Sequence, residues 1–188
     1  MRNATLLAVC LSMLFGLTAL AADPTASSPA ASSAVASVQP LGGGTAKGTV
    51  QFTQLDHGVQ IQAEITGLTP GKHGFHIHEF GDCSATDGAS AGGHFNPGGN
   101  AHGGPDAPMS HAGDYGNLDA DAGGRAVLTL ISRKITLDQS AAGVIGRSVI
   151  VHEKTDDLAS QPAGNAGPRI GCGVIMFQGA PTTPILKK

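Results

Sequence analysis

Eight short segments, each bounded by Gly, Pro, Asn or Asp and with no helical periodicity between them, restrict this chain past residue 33 to an all-β fold. They are Ala34–Pro40, Lys47–Gln54, Gly58–Thr66, His73–Phe80, Asp114–Asp119, Arg125–Ile131, Gly146–Val151 and Cys172–Gln178. Within them apolar residues alternate with polar ones, or β-branched residues are enriched, as half-buried strands require. Turn chemistry separates them at Gly42-Gly43-Gly44, Asp56-His57-Gly58, Thr69-Pro70-Gly71 and Asp121-Ala122-Gly123-Gly124. The composition agrees: 28 glycines and only 13% charged residues suit short strands and long ordered loops better than helices. Short strands with no helices between them predict an antiparallel sandwich or barrel.

Two connections break the even spacing. Gly81 to Gly113 and Glu153 to Gly171 have little strand character and are far too long for hairpin loops. They carry histidines, carboxylates and Cys83, with Cys172 directly after the second, which makes metal and disulfide the candidates for holding them in place.

The first residues are set apart from the domain. Arg2 supplies a positive charge, Ala4 to Leu20 is almost unbroken apolar sequence, and Ala19-Leu20-Ala21 has the small-x-small form of a cleavage site. Residues 1–21 are therefore expected to be a secretory signal peptide. The run is short for a membrane span, so no stable membrane insertion is expected after cleavage, and Cys10 would leave with the signal. Residues 22–33 read as a flexible Ala/Ser/Pro linker, 34–180 as the domain and 181–188 as a C-terminal tail. In an exported domain, Cys83 and Cys172 are expected to form one disulfide. Closing so long a loop is worth about 4–5 kcal/mol in the chain-entropy account. A net charge of −3 and 4% aromatic residues exclude a nucleic-acid footprint.

The histidines carry the chemistry. In an extended Gly74-Phe75-His76-Ile77-His78-Glu79, alternation sends His76 and His78 to one face and Phe75 and Ile77 to the other. His94, His102 and His111 lie in the first long loop with Asp114 close behind, and three imidazoles with one carboxylate match a closed tetrahedral zinc site. His76, His78 and His152 remain, from two separate strands. An all-imidazole set suits copper or zinc, and tetragonal nitrogen coordination favours Cu(II). That set lacks a fourth ligand, which one loop histidine could supply by serving both metals through its two ring nitrogens; spacing does not say which. His73, on the opposite strand face, reads as a hydrogen-bonded structural histidine, and His57 as a solvated turn residue.

Taken in order, the run Gly74 to Cys83, Gly92-Gly93-His94-Phe95-Asn96-Pro97, His102-Gly103-Gly104-Pro105, His111-Ala112-Gly113-Asp114, Val151-His152-Glu153-Lys154 and Gly164 to Ile175 resemble copper/zinc superoxide dismutase. The resemblance runs from about residue 34 to 178. It implies an eight-stranded antiparallel Greek-key β-barrel of the immunoglobulin-like sandwich type, with two long functional loops. It implies copper, cycling between Cu(II) and Cu(I), on His76, His78, His94 and His152. It implies Zn(II) on His94, His102, His111 and Asp114, with His94 as the bridge. Asp156 matches the aspartate that hydrogen-bonds one histidine from each metal, Arg169 the arginine that attracts the anionic substrate, and Cys83 and Cys172 the disulfide that ties the metal loop to the barrel. Together with His94, Arg169 makes up the implied catalytic pair. The activity implied is dismutation of superoxide to dioxygen and hydrogen peroxide, an antioxidant oxidoreductase reaction, in a periplasmic or secreted protein that can form a homodimer.

Some positions depart from the animal members of that family. Cys83 follows His78 by five residues, a placement more like exported bacterial members. The segment between His152 and Arg169 is shorter and less charged, and Ala163 stands where those enzymes carry a threonine. Two other readings compete: a periplasmic copper carrier on the same barrel, and a secreted β-sandwich with a structural zinc. The first usually lacks a copper ligand or the arginine, and the second leaves His76, His78 and His152 unexplained.

Overall fold

The computed structural model describes residues 33–178. The expected signal peptide, all but the last residue of the expected linker, and the expected C-terminal tail lie outside the described residues. The eight expected strands form: β1 Ser33–Pro40, β2 Lys47–Leu55, β3 Gly58–Thr66, β4 Gly71–His78, β5 Asp114–Ala120, β6 Ala126–Ser132, β7 Ser148–His152 and β8 Arg169–Gln178. One short 3₁₀ turn, Ala89–Ala91, is the only helical element among the described residues. No helix among them is long and apolar enough to cross a membrane.

All ladders are antiparallel, in the order β5-β4-β7-β8-β1-β2-β3-β6. The two end strands, β5 and β6, are consecutive in the chain. Their connection is a tight turn in which the Asp121 amide donates to the Arg125 carbonyl at 2.9 Å. The sheet therefore curls into a nearly closed barrel whose seam lies between β5 and β6. Reading β7-β4-β5-β6 around the barrel gives three consecutive strands with the fourth returned beside the first, which is the Greek-key arrangement.

The core follows from the alternation. In β3 every second residue, Val59, Ile61, Ala63 and Ile65, is buried. These meet Ala34, Ala36 and Val38 of β1, Val50 and Phe52 of β2, and Phe75 and Ile77 of β4. Burying each of the large side chains is worth roughly 1.5–3 kcal/mol. β4 and β7 differ from a half-solvated strand, because both of their faces are covered near the site. Phe75 and Ile77 point into the core while His76 and His78 lie under the long loop.

Three strand ends depart from the sequence pattern for a common reason. β4 ends at His78 because the Glu79 and Phe80 amides turn away to the carbonyls of Gly93 (2.9 Å) and Ala91 (3.0 Å) in the loop. β7 runs on to His152, and β8 begins at Arg169 rather than Cys172, because His152 and Arg169 pair across the ladder. Register shifts fall between Gly74 and His76 and between Val151 and His152, so both strands are kinked where they present site histidines.

Candidate metal centre

The first long loop is drawn against the end of β4. The Phe95 amide donates to Ile77 O at 2.8 Å, the Ile77 amide to Gly113 O at 2.9 Å, and the Gly113 amide to Phe95 O at 2.9 Å. A Cβ on Gly113 would collide with the Ile77 carbonyl, so only glycine lets the loop's return stroke come this close. His94 thereby pairs with His78 in an isolated antiparallel bridge, and Asp114 starts β5 opposite His76.

His76, His78, His94 and His152 form one group in which one ring nitrogen from each residue lies within 4.8 Å of the others. In each ring the other nitrogen is occupied. His76 Nε2–H donates to Asp156 Oδ2 at 2.8 Å, His78 Nδ1–H to Gly92 O at 3.0 Å, and His152 Nδ1–H to Gly167 O at 3.0 Å. His94 Nδ1 lies 2.8 Å from Asp114 Oδ1. The four remaining nitrogens, His76 Nδ1, His78 Nε2, His94 Nε2 and His152 Nε2, are buried with no hydrogen-bond partner. Four convergent lone pairs with nothing to accept from are costly in a folded protein, and a metal ion is what such a donor set fits. Burial holds His76, His78 and His152 neutral. All three titrate below an ordinary histidine, chiefly through desolvation, with neighbouring imidazoles adding to it, and His152 falls to about 4.

A second group shares His94. The Nδ1 atoms of His94, His102 and His111 lie 2.8, 3.1 and 3.2 Å from Asp114 Oδ1. Asp114 is 2% exposed, and its other oxygen accepts the amides of Gly103 and His111, each at 3.0 Å. Burial opposes ionisation of Asp114, yet its contact with His94 and the Gly103 amide outweigh it, so its carboxyl titrates below the usual range. Three imidazoles around one carboxylate oxygen give a compact N₃O set of the kind zinc accepts. His94 is the only ring with one nitrogen in each group.

Asp156 joins the two groups from behind. It is 1% exposed, and its Oδ1 accepts His102 Nε2–H at 3.0 Å while Oδ2 accepts from His76. Arg169 sits on β8 opposite His152, with its guanidinium held by the carbonyls of Gly88 and Gly92 (the latter at 2.7 Å). Its charge contributes to lowering the titration of both His78 and His152, which places a cation beside the all-histidine group. The Cys83–Cys172 disulfide pins the loop carrying those carbonyls to β8.

The structure brings together the positions from which the sequence drew its ligand sets, with Asp156, Arg169 and the Cys83–Cys172 disulfide beside them. His73, buried at 2% exposure, instead bonds His152 O at 2.8 Å and Thr69 O at 2.9 Å, as a structural histidine does. His57 is an exposed turn residue. Sequence reasoning missed Asn117 and Gln161. Asn117 exchanges two hydrogen bonds with the backbone of Asp156, and Gln161 does the same with the backbone of His102. Neither residue type nor spacing marks them, since any polar side chain in a loop could serve.

Comparison with known proteins agrees with this geometry. The family described as copper/zinc superoxide dismutase matches residues 46–175. The chain is 48% identical over 142 residues to the superoxide dismutase [Cu-Zn] of Paramecium bursaria Chlorella virus 1, covering 71% of this chain and 74% of that protein. It is 49% identical over 138 residues to the extracellular superoxide dismutase [Cu-Zn] of Drosophila melanogaster, covering 69% and 75%. Among solved structures, the crystal structure of the clock protein EA4 superimposes with a TM-score of 0.71 at 40% identity, covering 80% of this chain and 98% of that one.

Proposed function

Because the chain belongs to the copper/zinc superoxide dismutase family, with copper and zinc as its cofactors, we propose that its two side-chain groups divide those metals between them. The protein dismutes superoxide. In our reading His76, His78, His94 and His152 hold copper, and His94, His102, His111 and Asp114 hold zinc. The observation that carries this is the set of four buried, partnerless nitrogens, together with a His94 ring whose two nitrogens face different groups. Bound copper would supply the one-electron cycle through which one superoxide becomes dioxygen and a second, with two protons, becomes hydrogen peroxide, while zinc would supply charge without redox.

The chain's own residues do the rest. Gly92 O, Gly167 O and Asp156 fix the tautomers of His78, His152 and His76, so that each presents a lone pair at a set atom. His94 Nδ1 keeps that ring in place beside Asp114, which leaves its Nε2 turned toward the all-histidine group. Arg169 gives a net-negative protein a local cation beside the all-histidine group, where an anionic substrate must arrive. Ala163 and His152 line a recess of about 150 Å³ with no charged residue in its wall.

Export supports the same reading: a disulfide belongs in an oxidising compartment, and the Drosophila relative is extracellular by name. A leader over residues 1–21 followed by a linker would deliver the domain to the periplasm or beyond. Metal analysis and a superoxide-consumption assay on the mature domain test the reading. One copper and one zinc per chain, with turnover lost on chelation and restored by copper, are expected. Zinc alone without turnover would make this a structural-zinc sandwich, and copper without turnover a carrier.

A further inference from the structure

The barrel seam between β5 and β6 is crossed by one ammonium group. Lys134 follows β6, and its Nζ donates to Ala107 O at 2.7 Å and to Ser110 Oγ at 2.6 Å, across the seam in the first long loop. Ser110 is 2% exposed, and its hydroxyl meets the Gly104 carbonyl at 2.9 Å and the Ala107 carbonyl at 3.2 Å. The segment 104–110 is thus a closed turn with Lys134 as its bolt. Its two ends are Gly103 and His111, the residues whose amides both land on Asp114 Oδ2. Without the ammonium, the Ala107 carbonyl and Ser110 hydroxyl lose their bonds to the barrel, and the backbone amides of Gly103 and His111 hold to the site through Asp114.

We propose that Lys134 is a positioning residue for zinc: it locks the 104–110 turn so that His111 Nδ1 and Asp114 Oδ1 stay in register with His94 and His102. This rests on the assignment of zinc to those four residues. The charge is well placed for the role, since Asp114 and Asp106 are the carboxylates that face it, and Lys134 supplies a cation behind the buried carboxylate of the site. A lysine reaches this point only because β5 and β6 do not ladder there. The seam leaves a groove of about 910 Å³ with Tyr115, Leu130 and Lys134 in its wall.

The test is zinc release from the fully metallated protein, followed with a chromophoric chelator alongside copper release. Lys134→Met keeps the apolar stem and removes the donors. It should release zinc about tenfold faster, as expected from losing charge-assisted hydrogen bonds, with a smaller change for copper. Lys134→Arg, which can still donate to both oxygens, should restore much of the retention. Combining Lys134→Met with Ser110→Ala should add little to either change alone, because both break one lock. Unchanged zinc release in Lys134→Met overturns the proposal. So does acceleration of both metals by the same factor with an equally lowered unfolding temperature in the metal-free protein, which is simple destabilisation. If wild type binds no zinc, or His111→Ala retains it as wild type does, the underlying zinc assignment fails instead.

Discussion

Asn117 and Asp156 clasp each other through a reciprocal pair of hydrogen bonds: Asn117 Nδ2 donates to Asp156 O at 2.9 Å, and the Asp156 amide donates to Asn117 Oδ1 at 2.8 Å. The clasp fixes a backbone whose side chain, in turn, fixes one histidine from each group. Orientation of His76 and His102 therefore passes through one loop aspartate and one strand asparagine.

Asp156→Asn tests that relay. Both His76 and His102 offer an N–H to Asp156, and a carboxamide has only one oxygen to accept them. The variant should bind metal at both sites about 10–100-fold more weakly, the usual effect of losing such a partner. Competition with chelators of known affinity measures it. Unchanged affinity at either site would show that the aspartate does not orient that histidine.

His94→Ala removes the only ring common to both groups. Copper and zinc affinities should both fall, most superoxide turnover should be lost, and electronic coupling between metals placed in the two sites should vanish. Paramagnetic resonance of the protein with cobalt in the zinc site reads the coupling directly. Full turnover with both metals bound would mean the shared assignment is wrong.

For Arg169→Glu the expectation is a reaction rate at least about tenfold lower, within the range over which local charge alters the arrival of small ions. Wild type should slow as ionic strength rises, whereas the variant should slow less or accelerate, because salt now screens repulsion. Rates of wild type and variant that vary identically with salt would remove steering from the role of Arg169.

Replacing Cys83 and Cys172 by alanine opens a loop spanning 89 residues of sequence separation. Denaturant unfolding should report a loss of about 4–5 kcal/mol if the bridge acts mainly on the unfolded chain. The loop also holds Gly88 and Gly92, whose carbonyls grip Arg169, so turnover should fall more than metal content does. A double variant as stable as wild type would contradict the first expectation, and parallel losses of metal and activity the second.

The strands were legible because one face of each is buried, and burial writes alternation into the sequence; β3 is the plainest case. The two side-chain groups were legible because His76-x-His78 shares one strand, and His94, His102 and His111 share one loop with Asp114 just behind it. Spacing left open which loop histidine faces both groups. Geometry singles out His94, since its bridge to His78 turns Nε2 toward β4 and leaves Nδ1 on Asp114. What escaped the sequence is of another kind. Asn117, Gln161 and Lys134 act on backbone groups far away in the chain, and the carbonyls of Gly92 and Gly167 that set two tautomers carry no residue signature at all. Strand limits slipped for the same reason, as at Arg169, where β8 is prolonged by pairing with His152.

The ladders also order events in time. β4 pairs with β7 across the entire first loop, β5, β6 and the connection beyond them, and β8 pairs with β1 across nearly the whole domain. Such distant pairings make barrel closure a late and comparatively slow step of folding. The four partnerless nitrogens do not exist as a group before that step, because His152 is still remote from His76. Loading with copper is accordingly an event in the life of the folded protein, governed by what metal the surroundings offer once the barrel has closed.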